Sequence, residues 1–332
     1  MSERPAVDVV VPSYRRPELL LRCLAGLAAQ HVPAARVIVA ARRDDTATQD
    51  AVRRHPGPRA ELVVVDSPGV VAALAVAVGA TSAEVVAFID DDAVPSEDWL
   101  RRIQDHLSDA AIGAVGGRDL IPGQEGPRAA EVGRMRRWGS MVGNHHLGTG
   151  GARDVDVLKG VNMAWRATAL ALPADGVLRG AGAQPHYEVL MARWAQARGW
   201  RLRYDSDLLV HHLGADRPEE QSRVRPSRAE ASAEAYNYLL ATTAFDPDLT
   251  VRRASRGLLV GSRGAPGLVR AAVAAVRGER DVVARLGPSL AGQWSAFQQV
   301  RAGRTPRMLT CLELRDPDLA PRQPPTPPRS ET

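Results

Sequence analysis

The chain has 332 residues, 45% hydrophobic and 24% charged, which fits a folded protein with a sizeable core and excludes a mainly disordered, collagen-like or coiled-coil chain. Its longest apolar run, Val70 to Val78, is far short of the roughly 20 residues that span a bilayer, and Cys23 and Cys311 are too few for a disulfide framework or a thiolate zinc site. The formal charge of +5 is concentrated in residues 250–310, where eleven arginines face only Glu279 and Asp281; aromatics are not interleaved with them, which argues against nucleic acid as a partner.

Val7 to Val11, apolar except for Asp8, ends in Pro12-Ser13-Tyr14, the pattern of a strand buried on both faces and followed by a turn. Leucines at 20, 24 and 27 then recur at helical spacing after Pro17. The alternation continues with a strand from Val37 to Ala41, a helix from Thr46 to Arg54, a strand from Leu62 to Val65 and a helix from Val70 to Ala80. A further strand, Val85 to Ile89, runs directly into Asp90-Asp91-Asp92. Such alternation implies a parallel sheet with right-handed crossovers, whose ligands collect at the C-terminal ends of the strands. Between Gly116 and Gly151 glycine is frequent and periodicity poor, which predicts a mobile loop. Regular structure resumes over Val155 to Arg166, in a helix from Tyr187 to Arg198 and in a strand-like stretch from Arg201 to Val210. A helical tail follows from about Arg228, including Ala229 to Thr243 and Gly267 to Val276, and the six prolines in the last 17 residues predict disorder there.

The aspartate triplet carries the strongest chemical signal. In extended chain Asp90 and Asp92 point to one side and Asp91 to the other, so two carboxylates converge on one ligand. Their mutual repulsion is relieved by a hard divalent cation, Mn²⁺ or Mg²⁺, that shares its shell with substrate phosphates. An acidic turn with Asp92 capping a helix is the plainer alternative, but the apolar strand before it fixes the triplet at a ligand-binding edge. A phosphohydrolase with an Asp-x-Asp nucleophile needs a small hydroxyl residue soon afterwards, and Ala93-Val94-Pro95 does not supply one.

The first 215 residues resemble a family 2 glycosyltransferase. The matching segments are Val-Val-Val-Pro-Ser-Tyr-Arg-Arg-Pro-Glu near the start, Phe-Ile-Asp-Asp-Asp-Ala at 88–93, Lys-Gly-Val-Asn-Met-Ala-Trp-Arg at 159–166, and Tyr187-Glu188 followed by Arg-Gly-Trp-Arg-Leu-Arg-Tyr and Val-His-His. The resemblance implies an α/β chain of the GT-A fold, a Rossmann-like, mostly parallel sheet with helices on both faces and a C-terminal helical extension. It divides the first 215 residues into a nucleotide-sugar-binding half (1–115) and an acceptor-binding and catalytic half (116–215); the charge, periodicity and prolines beyond add a basic helical extension (216–312) and a disordered proline-rich tail (313–332). The implied reaction is inverting transfer of a sugar from a nucleoside diphosphate donor, UDP-, GDP- or dTDP-linked, to an acceptor hydroxyl. Pro12, Tyr14, Asp45, Asp90 and Asp91 would bind the nucleoside side of the donor, and Lys159, Gly160 and Asn162 its sugar and phosphate side. Asp92, Asp90 and His212 would hold Mn²⁺ or Mg²⁺, with His212 matching better than His211 and the pair His145-His146 assigned to the acceptor side or to solvent. Glu188 would be the general base.

Two departures leave the donor open: Ala40-Ala41-Arg42-Arg43 stands before Asp44-Asp45 where an acidic pair is usual, and Val76 stands where many members place an arginine. Arg42 or Arg43 would then replace that charge. A retaining transferase on the same scaffold and a catalytically silent sugar-nucleotide-binding protein are the alternatives. The N-terminus lacks the sections of a secretory signal, which predicts a cytoplasmic protein. The basic segment 250–310 admits a peripheral position at the inner membrane face and a lipid-linked or natural-product glycan as acceptor.

Overall fold

A computed structural model describes residues 4–55, 60–124, 126–180, 182, 184–213, 227–262, 264–316 and 318. The N-terminal part alternates as the apolar runs require: β1 (Val7–Ser13), α1 (Pro17–Ala28), β2 (Arg36–Arg42), α2 (Thr46–Arg54), β3 (Ala60–Val65), α3 (Val70–Gly79) and β4 (Val85–Ile89). After the triplet come β5 (Ala93–Pro95), α4 (Trp99–Leu107), β6 (Ile112–Leu120), the short pair β7 (Arg134–Met135) and β8 (Met141–Val142), and then β9 (Ala152–Val155), β10 (Asn162–Arg166) and β11 (Ala171–Pro173). The chain continues through α5 (Tyr187–Gln196), β12 (Arg201–His212), α6 (Arg228–Thr243), α7 (Thr250–Leu259), α8 (Leu268–Val276), α9 (Arg280–Ala284), α10 (Leu286–Arg301), β13 (Met308–Thr310) and α11 (Cys311–Arg315).

The main sheet has the order β3-β2-β1-β4-β10-β6-β12-β5, with β9 also paired to β12. The first four strands are mutually parallel, whereas β10 runs antiparallel to both β4 and β6. The sheet is therefore mixed, and it continues without a break across residue 115. Alternate residues of β1 serve two cores: Val10 packs with Phe88, Trp165 and Leu74 on one face, and Val9 and Val11 with Leu20, Leu24 and Ile103 on the other. Pro17 opens α1 at a position where a missing N–H costs nothing, and the buried Leu20, Cys23, Leu24 and Leu27 form its inward stripe.

The expected loop from Gly116 is corrected at its start. Gly116 and Gly117 lie inside β6, a central strand. A Cβ on Gly117 would stand 1.8 Å from the Leu208 carbonyl oxygen and 2.7 Å from Asn162 Nδ2, so the glycines mark close backbone approach. Gly117→Ala is accordingly expected to destabilise the protein by about 3 kcal/mol or more, measurable as a lowered urea midpoint, while Gly143→Ala, with open space around the site, leaves it unchanged.

The start of the expected disordered tail is also corrected. Residues 311–315 are helical, with Thr310 and Glu313 forming a reciprocal capping box. Arg315 donates to Thr81 Oγ1 at 3.0 Å and to the Ala83 carbonyl at 2.7 Å, tying α11 back to the segment before β4. The rest of the predicted tail, 317 and 319–332, and residues 214–226 of the extension lie outside the described residues. No helix among the described residues is long and apolar enough to cross a membrane.

Candidate active site

β1, β2 and β4 end at the same edge, and the segments that leave them carry the polar residues. The Ser13 hydroxyl donates to Asp91 Oδ2 at 2.8 Å. The guanidinium of Arg16 lies 3.3 Å from Asp91 Oδ1 and 3.5 Å from Asp92 Oδ2. Burial pushes the Asp91 carboxyl up to about 6, against the lowering effects of the Ser13 hydrogen bond and the Arg16 charge. Asp91 thus reaches β1 through Ser13, Arg16 bridges it to Asp92, and the triplet forms a turn in which the Ala93 N–H donates to the Asp90 carbonyl at 3.1 Å.

β5 pairs antiparallel with β12 and sets His212 opposite Ala93; the Leu213 N–H donates to the Asp92 carbonyl at 2.7 Å. That pairing carries His212 to the triplet and leaves its neighbour His211 in solvent. One ligand atom from each of Asp90, Asp92 and His212 falls within 4.8 Å of the others. His212 Nε2 stands 3.2 Å from Asp92 Oδ1, and Nδ1 stands 3.7 Å from Asp119 Oδ2. The carboxylates of Asp119 and Asp92 together push the imidazole up to about 9. Asp119, fully buried at the end of β6, also pairs with Lys159. Its burial raises the carboxyl, but His212 and Lys159 outweigh that and hold it below the usual range.

At the far end of the edge, the Tyr14 ring has the guanidinium carbons of Arg15 and Arg42 at 4.9 and 5.2 Å from its centroid. Its hydroxyl donates to Asp44 Oδ2 at 3.3 Å, and Arg42 Nε lies 3.2 Å from Asp44 Oδ1. Of the two arginines considered for the missing donor charge, Arg42 therefore lies beside Tyr14. Arg43 pairs with Asp66 at an exposed surface. Asp45 is 3% exposed and caps α2, accepting from the Thr48 N–H at 3.1 Å and from the Arg15 N–H. Pro12, half-buried, precedes Ser13 in β1.

The opposite wall comes from the loop before β10 and the start of α5. A Cβ on Gly160 would lie 2.2 Å from the Tyr187 hydroxyl, so glycine is what lets that buried phenol close on the backbone. Burial pushes the Tyr187 hydroxyl well up, and the charges of Glu188 and Asp90 add to the shift. Glu188, half-buried in the first turn of α5, thus shares a neighbour with the triplet. The positive end of the helix favours a carboxylate there. The entry to α5 is anchored on α3: the Val70 N–H donates to the Gly182 carbonyl at 3.1 Å and the Val71 N–H to Gln184 Oε1 at 3.3 Å.

Asn162 requires a correction. It is 1% exposed; its Oδ1 accepts from Trp99 Nε1 at 2.8 Å, and its Nδ2 donates to the carbonyls of Leu208 at 2.9 Å and Arg118 at 3.3 Å. These bonds make it a brace between strands, not a group facing the donor. His145 is likewise internal, buried against Tyr204 with Nε2 3.1 Å from the Val157 carbonyl. Three residues of the site escaped the sequence reading: Arg16, Asp119 and Tyr187. Arg16 stood in the quoted Tyr-Arg-Arg stretch, and Asp119 was hidden by the loop assigned to its strand.

The chain superposes on solved structures of the GT-A class. The mannosyltransferase PcManGT from Pyrobaculum calidifontis, solved with GDP-Man and Mn²⁺, gives a TM-score of 0.51 at 19% identity, covering 91% of this chain and 88% of that one. TarS 1–349 of S. aureus, solved with UDP-GlcNAc, gives 0.56 at 14% identity, covering 90% and 88%. Fold and acidic strand edge together define a GT-A glycosyltransferase. Residues 5–232 match the family described as "Glycosyltransferase like family 2", and the chain belongs to that family. Among curated proteins, the glycosyltransferase AglE of Haloferax volcanii is 27% identical over 135 residues, a match that spans 39% of this chain and 44% of AglE.

Proposed function

We propose that the protein transfers a sugar from a nucleoside diphosphate donor to an acceptor hydroxyl with inversion at the anomeric carbon, using a divalent cation. The observation that carries this reading is the convergence of Asp90, Asp92 and His212 within 4.8 Å at the sheet edge where ligands bind in this architecture. The donor set fits the ion: two carboxylates suit Mg²⁺ or Mn²⁺, and the imidazole favours Mn²⁺. When bound, such an ion supplies Lewis-acid charge to the departing diphosphate.

The chain's own residues supply the rest. Asp119, with Oδ2 3.7 Å from His212 Nδ1, sets a negative charge behind the ring while Nε2 faces Asp92. Arg16 balances the negative charge of Asp91 and Asp92. Tyr14, flanked by Arg15 and Arg42, offers an aromatic face with cationic borders for the nucleoside, and Asp45 shapes that turn by capping α2. Gly160 and Tyr187 form the wall on the sugar side, Lys159 stands beside them paired with Asp119, and Glu188 accepts the proton of the acceptor hydroxyl.

A thermal-shift panel of UDP-, GDP- and dTDP-sugars, each with and without Mn²⁺, tests the reading. At about 100 times its Kd a ligand stabilises the native state by roughly 2.7 kcal/mol, so one nucleotide class with Mn²⁺ is expected to raise the unfolding temperature by several degrees. A flat panel, or shifts indifferent to Mn²⁺, would count against it.

A further inference from the structure

The C-terminal helices carry an apolar surface turned the wrong way for a free-standing protein. In α8 the residues that face the protein are Ala271 and Ala274, both buried, whereas Leu268, Val269, Val273 and Val276 are 50%, 54%, 45% and 91% exposed. At 100° per residue these four side chains share one arc of the helix, and Arg270 and Arg277 fall together along one border of it. The apolar surface is continued by the end of α7: Leu259 and Val260 are 52% and 40% exposed, and the Gly267 N–H donates to the Val260 carbonyl at 3.3 Å, which brings that end beside the start of α8.

We infer that this face is a docking surface for an anionic lipid bilayer, on which α8 lies flat with its aliphatic arc among the acyl chains and its arginines among the headgroup phosphates. Large aliphatic residues outward and alanines inward are the arrangement of an interfacial helix and the reverse of a packed one. Charge complementarity selects the partner: Arg270 and Arg277, both exposed along the border of the aliphatic arc, suit a continuous negative surface. A neutral apolar partner would gain nothing from Arg270 and Arg277. The surface involves neither the triplet nor Glu188, so the inference stands apart from the proposed reaction.

Vesicle co-sedimentation with the full chain tests it, without donor or metal. Binding to phosphatidylcholine vesicles containing one third phosphatidylglycerol is expected to be at least about tenfold tighter than to pure phosphatidylcholine, since each arginine at an anionic surface is worth about fivefold. Arg270→Gln with Arg277→Gln is expected to weaken anionic-vesicle binding about 25-fold by the same factor. Val273→Ser with Val276→Ser is expected to weaken binding to it by about tenfold or more. All four positions are exposed, and unchanged unfolding temperatures would show the variants folded. Absence of wild-type binding, or folded variants that bind as the wild type does, would overturn the inference. So would a wild-type dimer that the valine substitutions dissociate, because the face would then belong to a second copy of the chain.

Discussion

Asp92→Ala is expected to lower kcat for sugar transfer by about 10²- to 10³-fold, the usual cost of removing a preorganised charge stabiliser. The carboxylate is shared between Arg16 and His212, and the proposed ion would lose one of its three protein ligands. The fold should tolerate the change. Arg16 keeps its pairing with Asp91 at 3.3 Å, His212 keeps Asp119 behind it, and one of three adjacent like charges is gone. Chemistry and stability should therefore separate: turnover collapses and Mn²⁺ affinity, followed by the paramagnetic signal of the free ion, falls, while the urea midpoint of the metal-free protein moves little. Wild-type turnover in this variant would remove the triplet from the mechanism.

The half of the fold that was legible in the amino-acid order is the half built from local signals. Apolar runs at Val7–Val11, broken only by Asp8, and at Val85–Ile89 are what a strand covered on both faces needs, and the leucines of α1 mark its buried stripe without any tertiary information. The two-residue period of extended chain predicts Asp91 turned away from Asp90 and Asp92, but the triplet forms a turn, with the Ala93 N–H donating to the Asp90 carbonyl at 3.1 Å, and Arg16 reaches both Asp91 and Asp92. What stayed hidden depends on distant pairing. Gly116 and Gly117 read as loop because their purpose is to let the Leu208 and Asn162 backbones approach, a fact no periodicity carries. With β6 unrecognised, Asp119 could not be seen as the buried acid behind His212. Asn162 braces Trp99 and Leu208, partners far away in sequence, so its segment alone carries no sign that the side chain is internal. The Thr310–Glu313 capping box was overshadowed by the prolines that follow it.

Glu188→Gln is expected to cost about 10²- to 10⁴-fold in kcat, the range for loss of a positioned general base, with donor affinity unchanged. Glutamine keeps the size of the side chain and its place in the first turn of α5, but it cannot accept the acceptor proton. A carboxylate that merely complemented the positive end of the helix would contribute some 0.3–1 kcal/mol to stability and leave turnover intact. The two roles therefore predict opposite patterns: slow transfer with an unaltered unfolding curve and donor Kd, or normal transfer with a slightly less stable helix. Product stereochemistry adds an independent constraint. With one base serving direct displacement, proton NMR of the anomeric centre should show inversion in the wild type and in whatever slow product the variant makes. Retention in the wild type would exclude single displacement from the face opposite the leaving group and would end the assignment of Glu188 as base to the acceptor hydroxyl.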